Sequence, residues 1–238
     1  MLHFSPAALY RLHQTYPCKE ALTVTADRKP GRPQGDSSSD LKLSLLRASI
    51  DLFAKRGFDG VSLSQIAEAA GADKRLARYY FGTKDALWIA AITHLVECFS
   101  KDLIAANAFD GGSKTEELKA FIRAFITASA RWPQMSRIIV HDGGEDGTRG
   151  AFLKENLVGP FYQLLKDLID GAQAEGAIPD VSSRTIFFMI THGGSFPMAL
   201  YALTNALEGG DISSEAALQS HADAIIDLLI RAPNARSN

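Results

Sequence analysis

A chain of 238 residues, 46% hydrophobic and 22% charged, carries enough apolar material for one large or two small cores and has the balance of an ordinary globular protein. No apolar run approaches the roughly 18 residues that a membrane-crossing helix requires, and MLHFSPAALYRLHQTYPCKEAL at the start lacks the continuous apolar centre of a secretory signal. Two cysteines, Cys18 and Cys98, are too few and too far apart in sequence for a disulfide framework or a zinc site, so a reducing, cytoplasmic setting is expected, with no membrane partner.

The net charge of −2 conceals a division. Residues 1–84 hold 13 Lys and Arg against 8 Asp and Glu, a net +5, whereas residues 85–238 hold 12 against 19, a net −7. A basic head on an acidic body is the asymmetry expected when one part alone meets phosphate.

Residues 1–26 show no periodicity and read as an extension or as sequence upstream of the natural start. DRKPGRPQGDSSS (27–39) is rich in Pro, Gly and Ser and is expected to be disordered, so 1–39 forms an N-terminal extension. Its Arg28, Lys29 and Arg32 suit an arm entering a narrow minor groove, and equally a solvated tail. Asp40 is expected to begin the first helix, with Leu43, Leu46, Ile50 and Phe53 as its apolar stripe and Gly57 as its end.

SLSQIAEAAGADKRLARYYFGTK (62–84) then reads as two short helices joined by a turn. Ser62 and Gln65 make a capping-box pattern, Gly71 supplies the left-handed turn, and Asp73 caps the second helix. That second helix presents Lys74, Arg75, Arg78, Tyr79 and Tyr80, with Lys84 just beyond. Two short helices of this kind, the second basic and aromatic outside, make a helix-turn-helix for duplex DNA.

A fourth helix, from about Lys84 to Ala106, has Leu87, Ala91, Leu95 and Cys98 on one face. Ser113 with Glu116 opens a fifth that stops before Pro133, and a short helix over 134–141 precedes HDGGEDG. Residues 148–175 should kink or divide at Gly159-Pro160. Residues 182–207 are apolar nearly all round, with interruptions at Gly193-Gly194 and Pro197. Ser213 to Arg231 makes a final amphipathic helix with Ala216, Ala217, Ile225, Leu228 and Leu229 on its apolar side. The expected fold is all-α with about nine helices. A three-helix DNA-binding domain over 40–86 precedes a helical ligand-binding and dimerisation domain over 87–238.

The stretch 45–87 resembles the N-terminal domain of the tetracycline-repressor (TetR) family of bacterial transcriptional regulators. The resemblance rests on Leu52-Phe53, Gly57-Phe58, Ser62, Ile66-Ala67, Ala70-Gly71, Tyr80-Phe81, Lys84 and Leu87, without a gap. Arg78 departs from the tyrosine or histidine usual there and keeps a phosphate-binding chemistry. The resemblance implies a homodimer on a near-palindromic operator, usually a repressor. It places Lys74, Arg75, Leu76 and Tyr79 at base edges, where Lys or Arg donates to guanine and Leu76 packs on a thymine methyl. Arg78, Tyr80 and Lys84 fall to phosphates, with Ser62 and Ser64 at a further one. Ser64 and Tyr80 are explained as well by capping and by core packing.

The body helices carry many aromatics, first of all core residues. Phe121, Phe125, Phe161 and Phe187, with His141 and His192 as polar partners, are also the candidate lining of a cavity of a few hundred Å3 for a small apolar or aromatic effector. The Gly193-Gly194 break would leave backbone groups for such a ligand. THGGSF (191–196) looks like an esterase oxyanion loop but lacks the preceding strand and the nucleophile turn, and a helix break accounts for it better. His141-Asp142 with Glu145-Asp146 matches no metal-loop spacing and reads as a solvated loop. No catalytic residue, metal or cofactor is expected. A purely architectural DNA binder would leave a body of this size without a task.

Overall fold

The computed structural model describes residues 37–105, 112–144 and 146–230. The N-terminal extension with its Arg28, Lys29 and Arg32 arm lies outside the described residues, as do Cys18 and Glu145. All regular structure among the described residues is helical, in ten helices against the nine or so expected.

Helix α1 (Ser37–Arg56) starts three residues before the expected Asp40, which instead places its negative charge in the first turn. Gly57 ends it at φ 68°. Helices α2 (Leu63–Ala69) and α3 (Lys74–Phe81) form around the caps anticipated from the sequence. The Ser62 hydroxyl accepts from Gln65 N at 3.3 Å while Ser62 N donates to Gln65 Oε1 at 2.8 Å, so both halves of the capping box are made. Gly71, at φ 65°, turns the chain where a Cβ would be strained, and Asp73 accepts from Arg75 N at 2.7 Å. Phe53, Ile66 and Ala77 are fully buried where the three helices meet.

Helix α4 (Lys84–Ala105) runs from this head into the body, and its expected face of Leu87, Ala91, Leu95 and Cys98 is buried. Helix α5 (Lys114–Arg131) is the body's axis, packed on by α4 and by the later helices, with Leu118, Phe121, Ile122 and Ile126 completely buried. Ser113 caps it through Glu116 N, while the Glu116 carboxylate pairs with Lys119 rather than closing the box. Helix α6 (Gln134–Asp142) packs against α1.

Helix α7 spans 148–174 in two α segments, Thr148–Leu153 and Gly159–Ala174, joined by a π-helical turn at Lys154–Val158. The wide turn just before Pro160 absorbs the missing N–H, which is how the expected division is realised. Helix α8, 183–199, repeats the device with a π turn at Met189–Gly193. The chain therefore does not break at Gly193-Gly194 or at Pro197. It breaks at Leu200, before α9 (Tyr201–Thr204). Gly194 lies against α5, where a Cβ would come within 3.2 Å of Ile126.

Helix α10 (Glu215–Leu229) is capped by Ser214, one residue later than expected, because Ser213 is turned to Asp211. Ala222, Ile226 and Leu229 are the residues it buries; Ala216 and Leu228, expected on the apolar side, are exposed in the single chain.

Candidate functional site: a nucleic-acid interface and an interior cavity

Burial of Ala77 fixes the rotation of α3 and turns Lys74, Arg75, Leu76, Arg78 and Tyr79 outward. Tyr79 is 80% exposed, a position in which an aromatic ring gains nothing from the core and is free to meet a partner. Tyr80 is half-buried, edge-on to Tyr79 and Phe81 at 5.3 and 6.4 Å, so packing explains its ring. Around the corner, Ser62, Ser64, Lys74, Arg78 and Lys84 line one shallow groove. Two hydroxyls and three cations converging there form a surface suited to a phosphate.

Lys84 differs from the others. Its Nζ donates to the carbonyls of Phe58 and Val61, both at 3.0 Å, and lies 3.9 Å from the Phe58 ring centroid. The ammonium thus ties the start of α4 to the turn that leads into α2, and only its third proton is left for the groove. The phosphate role anticipated for Lys84 is at most shared with this structural one. Lys84→Met is expected to destabilise the protein by about 1–3 kcal/mol, since two buried-side acceptors lose a charged donor. Chemical denaturation checks this, and the salt dependence of DNA binding should change by less than one phosphate's worth.

A polar latch joins head and body. The buried Asp142 carboxylate, at the end of α6, accepts from Trp88 Nε1 at 3.2 Å and from Arg149 Nε at 3.1 Å. The Arg149 guanidinium also covers the Phe58 ring at 3.9 Å, a cation–π contact strengthened by partial desolvation. At the other end of α6, Gln134 Nε2 donates to Asp51 of α1 at 2.9 Å. His141, assigned to the cavity from sequence, is exposed and stands beside Gly57 instead. Asp142 is likewise no part of a solvated loop. The residue pair Trp88 and Asp142 lies 54 positions apart, so no local pattern announces it.

The interior of the body encloses a cavity of about 100 Å3, smaller than the few hundred expected. Phe125, Phe161 and Phe187 line it, and the exposed His192 stands at its mouth with Phe188. Phe121 does not line it: fully buried, it stacks on Phe125 at 6.1 Å and supports that ring from behind. Helix α6 contributes Met135, Ser136, Ile139 and Val140, which sequence reasoning missed because its apolar residues are not aromatic. No Lys, Arg, Asp or Glu is among the lining residues. The carbonyl of Gly193, which Pro197 has no N–H to satisfy, accepts from His221 Nε2 of α10 at 3.0 Å. The freed backbone group therefore meets a side chain, not the cavity.

This architecture recurs in known proteins. Residues 45–91 match the family described as bacterial regulatory proteins, tetR family. Over 172 residues the chain is 30% identical to the HTH-type transcriptional regulator RutR of Escherichia coli O157:H7, covering 69% of this chain and 79% of that protein. The chain belongs to the tetR family. This tetR-family chain is also 28% identical to the HTH-type transcriptional repressor NicS of Pseudomonas putida over 151 residues, 62% of this chain and 68% of that one. Its fold is that of AibR, solved in complex with isovaleryl coenzyme A and operator DNA, at a TM-score of 0.65 and 19% identity over 79% of this chain and 97% of AibR. As a tetR-family protein it is a helix-turn-helix transcriptional regulator, and α2 and α3 are that motif. Among the described residues no helix is long and apolar enough to cross a membrane.

Proposed function

We propose that this regulator is a cytoplasmic repressor that binds a near-palindromic operator as a homodimer and leaves it when a small molecule occupies the body cavity. Residues 40–86 act as the reading head and 87–238 as the sensing and pairing body, without catalytic activity. The observation that carries the proposal is the outward face of α3, where Tyr79 stands exposed beside Lys74, Arg75 and Leu76 over a buried Ala77. In the major groove this face reaches base edges, while Arg78, Ser62 and Ser64 hold phosphates from the groove beside it.

Coupling to the cavity has a physical route. One side of α6 lines the cavity through Met135, Ser136, Ile139 and Val140, and its ends hold the head through Gln134 and Asp142. Helix α4 lines the cavity through Val96, Phe99, Ser100 and Leu103 and begins at the head with Lys84. An occupant that shifts either helix moves the reading helix away from the spacing of about 34 Å that two half-sites one turn apart require. The crystal structure of AibR, with acyl-CoA and operator together, supports a ligand-responsive reading, as NicS, a repressor, supports the direction of control.

The test is binding to the DNA upstream of the protein's own gene. Arg75→Ala should cost about 1–3 kcal/mol on the preferred sequence and relax discrimination at one base pair. Uniform weakening on every sequence would return Arg75 to the backbone, and no preference for any duplex in the unmodified protein would end the proposal.

A further inference from the structure

Five Ser and Thr side chains are buried among the described residues: Ser49, Ser100, Ser129, Thr191 and Ser195. Buried hydroxyls in helices usually donate to the carbonyl four residues back. Ser49, Thr191 and Ser195 do so, at 2.7, 2.8 and 2.5 Å. The side-chain hydroxyls of Ser100 on α4 and Ser129 on α5, residues 6% and 3% exposed, form no hydrogen bond with any described residue, and both residues line the cavity. Two hydroxyls of buried residues that decline the local carbonyl and line the same space are open to a partner that is not part of the chain.

The remaining polar groups agree. Ser136 donates to Ser195 at 2.9 Å, and Ser195 passes its own proton to Thr191 O, which leaves the lone pairs of Ser136 as acceptors at the wall. No Lys, Arg, Asp or Glu lines the cavity and His192 stands only at its mouth, so an ionised ligand in the interior would lose its hydration without compensation. The walls are the rings of Phe99, Phe125, Phe161 and Phe187, with neighbouring centroids 5.7 to 6.2 Å apart. The space of about 100 Å3 opens at the exposed Phe188 and His192; it is smaller than the dry cavity of roughly 150 Å3 that holds benzene, so it admits one ring at most, and that with some outward movement at the mouth.

We infer that the effector is an uncharged, single-ring aromatic molecule bearing a neutral hydrogen-bonding group, held by the Ser100 and Ser129 hydroxyls between the phenylalanine walls. This deepens the regulatory reading above and rests on it. It excludes aromatic carboxylates and the charged head of an acyl-CoA from the interior of the cavity.

Phenol and toluene, near-isosteres, and the anion benzoate are the probes, titrated calorimetrically into the full-length protein and its Ser100→Ala/Ser129→Ala variant. Benzoate should bind at least about a hundredfold more weakly than phenol. The ratio of phenol to toluene affinity should fall about tenfold in the double variant, a cycle that isolates the hydroxyl contribution from packing. An unchanged ratio means that the two serines serve water, and it overturns the inference. So does benzoate binding as tightly as phenol. Operator release, followed in the same titrations, separates this inference from the reading beneath it. Phenol binding without release leaves the ligand class standing and removes the effector role; benzoate binding with release removes the class and leaves the effector role. Binding of none of the three overturns the class.

Discussion

Asp142→Ala is expected to lower the stability of the protein by about 2–4 kcal/mol, because it leaves the buried Trp88 indole N–H without an acceptor and the half-buried Arg149 guanidinium without its nearer carboxylate. The carboxylate meets both Trp88 of α4 and Arg149 at the start of α7, and Arg149 in turn lies on Phe58 of the reading head. Equilibrium denaturation measures the loss, and Asp142→Asn, which keeps one acceptor for the indole, should lose less. The latch also predicts how the loss is distributed. Exchange of backbone amides in α1 to α3 should rise more than in α5, whose core does not touch the latch. Equal effects in head and body would show that Asp142 supports the whole fold and not the joint between its parts.

The second large effect concerns assembly. Leu228 is 79% exposed on α10, and Phe188, Met189, Tyr201, Leu203 and Leu207 are also exposed on or beside α8 and α9. So many large apolar side chains in the C-terminal third suit a surface that is covered in the working protein. If two copies pair through α8 and α10, the four helices form a bundle about a two-fold axis. Leu228→Asp would bury an unpaired charge in that interface, giving a folded monomer. Operator affinity should then fall by a hundredfold or more, because two linked half-site contacts become one. Sedimentation reads the assembly directly. An unmodified protein that is monomeric at micromolar concentration would refute the pairing, and an unperturbed dimer in Leu228→Asp would move the interface elsewhere.

What could be read in the sequence was what depends on neighbours three or four positions apart. The Ser62–Gln65 box, the Asp73 cap and the outward face of α3 are all of this kind. The rotation of longer helices was harder. Phe121 and Phe125 stand one turn apart, yet one supports the cavity wall and the other forms it, a distinction set by α7 and not by α5. Pro197 was read as a break because proline lacks a donor. The π turn ahead of it and the imidazole of His221 absorb that lack, and neither is visible in a local pattern. Asp142 was misplaced, and the carbonyl partners of Lys84 were missed, for a related reason. Charged residues look available until their partners, 23 to 26 and 54 positions away, are known.

The bond between His221 and Gly193 has one more consequence. It spans the two helices whose outer surfaces would meet a second copy, and its acceptor closes the wide turn whose Thr191 and His192 border the cavity. In a dimer paired through α8 and α10, a wall that yields to an occupant would draw on α10 through this contact, so occupancy and self-association would share one free energy. Mass action would then make the chain's own abundance a variable in sensing: diluting the protein would alter the apparent strength of the ligand, with no change in any residue that touches it.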